Sequence, residues 1–309
     1  MEPLTRCSEV RVEALPGTAK SMTTCLALEY PEHWSRDVLD GGTFGEDLTG
    51  RLKRHLKAYG AGLQLIRRVG RAGHGGHASD GSDSFHLYLF FTAEGVAELL
   101  KVPGPEAILG LDLSGPGRNG ALRIEHPVLL VCTHSKRDAC CAIKGRPLAH
   151  DLDATQPREW VWESSHTKGH RFAPSMLLFP WGYSFGRLNA PAAGTLMAAA
   201  ARGELFLPGN RGRGCFDGPG QVAELAVAAA LADAPSPAPA GSLTVAAPDG
   251  ATGVALGGAA ADAVREVAAP DGRRWRVALE KVAYEGVVSS CGDEPKRGKG
   301  WRALAVEPL

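Results

Sequence analysis

The chain lacks any apolar run approaching the roughly 20 residues that cross a bilayer, so no membrane partner is expected. It lacks an excess of charge of either sign, with 34 Lys and Arg against 34 Asp and Glu. Nothing in that balance draws it to nucleic acid or to anionic lipid. The first residues, Met1–Cys7, lack the charged and apolar regions of a secretory signal, which predicts a cytoplasmic protein. There is no flavin motif, no CxxC and no HExxH. Seven cysteines is an odd number for a disulfide framework, and 309 residues can bury cores without such staples. Free thiols together with a metal site are the more economical reading.

A hydrophobic content of 44% with 22% charged residues is that of a globular chain, long enough for about two domains. Thr23–Tyr30 reads as a buried strand, and Glu46–Tyr59 as an amphipathic helix with Leu48, Leu52 and Leu56 on one face. Gly62–Val69 and Phe85–Thr92 read as strands. Between them, Ala72–Asp83 has the Gly, Ser and Asp content of a mobile loop. Ala93–Lys101 reads as a short helix. A second unit opens with Pro127–Cys132, wholly apolar as expected of a strand covered on both faces. A short helix at Pro147–Asp153, with Pro147 near its first turn, a strand at Glu159–Ser165, a hairpin over Met176–Leu188 and an Ala-rich helix at Gln221–Ala232 follow. Pro235–Gly241 has the composition of a linker. Strands at Arg274–Ala278 and Gly286–Ser290 and a short helix near Ala259–Val267 make the rest a β-rich module. The domains expected are therefore 1–122, 123–234 and 242–309.

Four side chains carry the chemistry. Cys132 ends the apolar strand, and Cys141 follows a polar loop. His166 and His170 lie three residues apart within Ser165-His166-Thr167-Lys168-Gly169-His170. Two soft thiolates and two imidazoles are what a tetrahedral metal or an iron–sulfur site needs. Around iron these donors mean electron transfer; around zinc they make a redox-silent staple. Either pair alone reads more simply as buried or loop residues, and the combination is what carries weight.

The combined pattern resembles the thioredoxin-like [2Fe-2S] ferredoxins and, more closely, the sucrase/ferredoxin-like family. The resemblance runs on through His170-Arg171-Phe172-Ala173-Pro174, Phe179-Pro180-Trp181-Gly182, Phe185-Gly186-Arg187 and Asn210-Arg211-Gly212-Arg213-Gly214. Arg6-Cys7-Ser8 and Ser290-Cys291-Gly292 also look like this family. It implies an α/β chain: a thioredoxin-like ferredoxin domain preceded by a related α/β domain, with the cluster under two loops at one end of the sheet. It implies a [2Fe-2S] cofactor, Cys132 and Cys141 holding one iron, and His166 and His170 the other. Two neutral imidazoles in place of two thiolates raise the cluster's charge from minus two to zero. Such clusters move from about −400 mV to roughly −150 mV or above. One-electron transfer, or sensing of redox state or iron supply, is then expected, with a reductase or other electron donor or acceptor as partner and a pH-dependent potential. Nothing pairs two carboxylates for glycoside hydrolysis, so the family's first word is not an activity here.

Two rivals stand beside this reading: a zinc module on the same four residues, and a thiol-dependent reductase using Cys140 or Cys141. Cys140 is adjacent to Cys141 and stands ready to substitute for it. Cys132-Thr133-His134 is half of a Rieske pattern whose second half is absent, which makes His134 a supporting residue. Cys25 reads as core filling, and Cys7, Cys215 and Cys291 as isolated. Arg211 and Arg213 support a cluster loop, bind an acidic partner or lie on a solvated loop. His74 and His77 read as solvated.

Overall fold

A computed structural model describes residues 6–70, 78, 80–232, 238–248, 255–256 and 259–309. The first half runs β1 (Thr24–Glu29), α1 (Glu46–Ala58), β2 (Ala61–Arg67), β3 (Phe85–Phe91), β4 (Val96–Val102) and a short β5 (Leu122–Ile124). β1 is buried at every residue, and its centre, Cys25–Leu28, is accordingly wholly apolar. β2 lies parallel to β1 on one side, β3 antiparallel on the other, and β4 antiparallel to β3. The second half repeats this plan with β6 (Val128–Cys132), α2 (Ala139–Asp153), β7 (Val161–Ser164), β8 (Ser175–Phe179) and β9 (Tyr183–Gly186). β7 is parallel to β6, β8 antiparallel on its other side, and β9 antiparallel to β8. α3 (Ala190–Ala201), β10 (Asn210–Arg213) and α4 (Gly218–Ala230) complete it.

The halves meet edge to edge. β2 and β7 pair antiparallel, with Ile66 opposite Ser164 and Arg67 opposite Glu163. One ten-stranded mixed sheet results, in the order β10-β9-β8-β6-β7-β2-β1-β3-β4-β5. Side chains lock the seam: Arg67 Nε donates to Glu163 Oε2 at 2.9 Å, and Ser165 Oγ to Gln64 Oε1 at 3.0 Å. α1 covers one stretch of the sheet with Leu48, Leu52 and Leu56, packed on Leu26, Leu28 and Leu65. α2 and α3 bring Leu148, Leu152, Leu196 and Met197 onto Leu129 and Val131.

The C-terminal residues form β11 (Thr244–Ala246), a small pair β12 (Ala255–Leu256) and β13 (Ala259–Ala260), then β14 (Ala263–Ala268), β15 (Arg274–Val287) and β16 (Lys296–Pro308). β11, β14, β15 and β16 make a separate four-stranded antiparallel sheet. It rests on α4, where Val222, Ala223 and Val227 meet Val267, Trp275, Val277 and Leu279. The molecule is thus mixed α/β with an appended β sheet, the class expected from sequence. Among the described residues no helix is long and apolar enough to cross a membrane.

Four local expectations are corrected. Residues 93–101 were expected to be helical, but β4 pairs with β3 residue for residue, from Phe91 opposite Val96 to Phe85 opposite Val102. The open edge of β3 and a turn at Gly95, with φ of 65°, outweigh a short helix's weak propensity. In place of the short helix expected near Ala259–Val267, residues 263–268 are drawn into β14 by pairing with β15. α2 begins eight residues before Pro147, because Asp138 rather than the proline sets its start. The two C-terminal strands at 274–278 and 286–290 are one strand, β15, which ends at Val287. Residues 72–77 and 79 of the loop expected at 72–83, His74 and His77 among them, and residues 235–237 of the linker expected at 235–241 lie outside the described residues.

Glu224 of α4 is fully buried, accepts from the Tyr183 hydroxyl at 2.8 Å and has Arg213 Nη1 at 4.0 Å. Burial pushes its carboxyl up to about 7, against the opposing pull of Arg213 and Tyr183. The folded state therefore holds this proton where the unfolded chain, near pH 4.5, releases it, and stability falls as pH rises between those values. Glu224→Gln should remove that decline. Urea unfolding should show the variant gaining on wild type from pH 5 to pH 8, and an equal difference at both would count against it.

Candidate metal centre

Parallel pairing decides which loops meet. β6 and β7 run side by side with Cys132 opposite Ser164, so Cys132 and the segment after Ser164 leave the sheet at the same end. Carboxyl ends of parallel strands are where open α/β sheets gather their ligands. The chain returns from Cys132 into α2, whose first turn lies over that end. Asp138 caps the helix, accepting from the Cys140 N–H at 2.9 Å. Gly145 then lies against β6: a Cβ there would sit 2.0 Å from the Cys132 carbonyl oxygen. Cys141, one turn earlier on the same helix, is held above Cys132 by that close approach.

The Sγ atoms of Cys132 and Cys141 and a ring nitrogen of His166 lie within 4.8 Å of one another. Both cysteines are buried and His166 is half-buried. His170, the fourth residue expected here, lies beside the group rather than within it. Its ring centroid is 5.1 Å from that of His166. Its Nε2 is 2.8 Å from Ser290 Oγ and 3.8 Å from Asp138 Oδ2. Nδ1 of His166 and Nδ1 of His170 are both buried with no hydrogen-bond partner among the described residues. Orphaned ring nitrogens beside two buried thiols are what a metal-binding donor set leaves when its protein contacts alone are counted.

The electrostatics agree. A hydrogen bond from Cys141, aided by His166 and opposed by burial, holds the Cys132 thiol well below its usual range. The same bond, with burial, pushes Cys141 up. The two shifts run in opposite directions, so the pair favours sharing one proton, which brings it towards the thiolate form that a soft metal ligand needs. Burial lowers the His170 imidazole's affinity for a proton, with Asp138 opposing, so the ring is kept neutral as a ligand must be.

The histidine loop is held from below. Lys168 and Gly169 adopt φ of 59° and 135°. A Cβ at Gly169 would lie 2.4 Å from Arg211 Nη1, so glycine is what lets the guanidinium in. Arg211 is buried and donates from Nη1 to the Lys168 carbonyl at 3.1 Å and to Ser175 Oγ at 3.3 Å. Its guanidinium sits 4.8 Å from the Phe172 ring. Arg213, also buried, instead donates to the Thr92 and Trp181 carbonyls at 2.8 and 3.2 Å. The solvated-loop reading of these arginines is overturned, because burial with carbonyl partners leaves them no surface role. His134 is buried, with neither ring nitrogen partnered among the described residues, and meets Trp34 edge-on at 5.7 Å. Cys25 fills the core of β1, and Cys215 is half-buried. Cys140 takes the other side of the helix from Cys141, towards Cys7 and Cys291. The isolated reading of Cys7 and Cys291 is overturned by that meeting, since residues 284 positions apart in sequence have their sulfurs 3.7 Å apart. Sequence reasoning missed Asp138, Ser290 and Gly145. An Asp before a helix is a cap signal that could have found the first; only the fold reveals the others.

A family model described as sucrase/ferredoxin-like matches residues 15–209, well over half of the chain. The chain belongs to the sucrase/ferredoxin-like family. Neither a comparison with curated proteins nor one with solved structures returns a match.

Gly145→Ala should force α2 off β6 and cost about 3 kcal/mol. It should also abolish metal retention by Cys132 and Cys141 although no ligand is touched. Gly50→Ala, in α1 with nothing nearer its new Cβ than Arg54 Nη1 at 3.7 Å, should be neutral or stabilising by up to about 1 kcal/mol. Thermal melts and metal analysis of both variants check the pair.

Proposed function

We propose that Cys132, Cys141, His166 and His170 hold a [2Fe-2S] cluster, the two cysteines on one iron and the two histidines on the other. The chain is then a one-electron carrier, or a sensor of redox state or iron supply, served by a separate donor or acceptor protein. The supporting observation is the meeting of two buried thiols, one already biased to thiolate, with two imidazoles whose Nδ1 atoms lack partners. When bound, such a cluster takes up and returns a single electron. The protein's own part is to hold the donors still. Ser290 engages Nε2 of His170, which leaves Nδ1 as the free donor. Arg211 fixes the loop between the histidines, and the buried cysteines exclude water from their side. His166 borders a cleft of about 330 Å³ lined by Lys20, Lys53, Lys57 and Lys168. That cationic rim suits an acidic partner surface approaching the half-buried histidine.

Protein isolated anaerobically should be red-brown and contain two irons and two acid-labile sulfides per chain. His166→Cys should retain the cluster, shift the g-values of the reduced state towards those of an all-cysteine ferredoxin, and lower the potential by on the order of 100 mV, since it adds a negative charge. Colourless protein carrying zinc on these residues and no sulfide would sink the reading in favour of a structural module.

A further inference from the structure

Behind α2 from this centre, three cysteines far apart in sequence converge on one carboxylate. Cys7 belongs to a short 3-10 turn, Cys7–Glu9. Cys140 is in the first turn of α2, Asp138 is its cap, and Cys291 follows the end of β15. Their donor atoms all lie within 4.8 Å of one another. The Cys7 and Cys291 sulfurs are 3.7 Å apart, and those of Cys140 and Cys291 are 3.2 Å apart. Asp138 Oδ1 is 3.6 Å from Cys7 Sγ and 3.1 Å from Cys291 Sγ. A tetrahedral zinc ion, with Zn–S near 2.3 Å and Zn–O near 2.0 Å, spaces two sulfurs about 3.8 Å and a sulfur and an oxygen about 3.5 Å apart.

Cys7, Cys140 and Asp138 are buried, and Cys291 is half-buried. A surrounding shell holds the donors in place. Ser8 Oγ donates to Cys140 Sγ at 3.1 Å, and the Cys291 N–H donates to Asp138 Oδ2 at 2.9 Å. Such outer contacts are what orient metal ligands. With no cation the thiolate forms of Cys7 and Cys291 are disfavoured, because burial and Asp138 push these two thiols up, Cys291 to about 11.

We propose that Cys7, Cys140, Cys291 and Asp138 form a zinc site, distinct from the Cys132–Cys141–His166 centre, which clips the N-terminal segment and the loop after β15 to the start of α2. Zinc binding there displaces the thiol protons to solvent and changes no oxidation state. The family match over 15–209 excludes Cys7 and Cys291, so this site does not follow from it.

The test is metal analysis of the full-length protein purified anaerobically without chelators, with zinc, iron and sulfide counted separately. One zinc per chain is expected, retained in Cys132→Ser and reduced at least tenfold in Cys7→Ser and in Cys291→Ser. A zinc-free wild type refutes the site by itself, whatever those variants do to folding. Mapped iodoacetamide labelling should find Cys7 and Cys291 protected until a strong chelator is added. Zinc-free wild type, a Cys140–Cys291 or Cys7–Cys291 disulfide in it, or zinc lost only from Cys132→Ser would each overturn the proposal. Iron and sulfide content reports separately on the cluster.

Discussion

The contact on which the rest depends is that between the first turns of α2 and the end of β6. The sheet alone brings Cys132 and the histidine loop to one edge, because β6 and β7 are parallel and in register there. It cannot supply the second sulfur. That comes from a helix that lies close enough only because residue 145 has no side chain. Successive helical residues point about 100° apart. Once α2 is fixed, Cys141 faces the strand end while Cys140 faces the chain termini. Two adjacent residues thereby enter two different groups of donors. The cap at Asp138, worth about 1 kcal/mol to the helix, is also the carboxylate of the second group and lies 3.8 Å from His170.

Much of this was legible in the sequence where the physics is local. An unbroken apolar run names a strand covered on both faces, and Val128–Cys132 is one. The four-residue spacing of Leu48, Leu52 and Leu56 names the buried face of α1. Cys132, Cys141 and His166, which the fold groups together, are singled out by the cysteine and histidine pairs taken together and by the family resemblance, since either pair alone reads as buried or loop residues. What failed was set by distant partners. Residues 96–102 carry no strong preference of their own, and the free edge of β3 decides for them. Residues 263–268 are likewise decided by β15. The meeting of Cys7 with Cys291 spans nearly the whole chain, and no periodicity records it. Arg211 reads as a loop charge until the fold shows Gly169 making room for it.

The two halves of the sheet share a strand plan but not a chemistry. In the first half, β1 ends at Glu29, whose carboxylate is taken by His86 at 2.5 Å, and the equivalent helix, α1, carries Glu46 and Asp47 in its first turn. No cysteine stands at either place. The second half has Cys132 at the strand end and Cys140 and Cys141 in the helix's first turn. The same architecture therefore gives a carboxylate–imidazole pair in one half and a group of thiols in the other. The difference lies in a few side chains at corresponding positions.

The C-terminal sheet is more than an appendage resting on α4. The loop after β15 places Ser290 on Nε2 of His170 and, one residue later, Cys291 between Cys7 and Cys140. A single loop thus touches both groups of donors from the outside. The electron-transfer role proposed above needs ligands that hardly move between oxidation states, and rigid ligands need a second layer that is itself anchored. Here that layer comes from the chain's two ends, which reach the same helix turn from opposite sides. His170 is the residue whose position this fixes most directly, because its Nε2 faces both the Ser290 hydroxyl and the Asp138 carboxylate that also accepts from the Cys291 N–H.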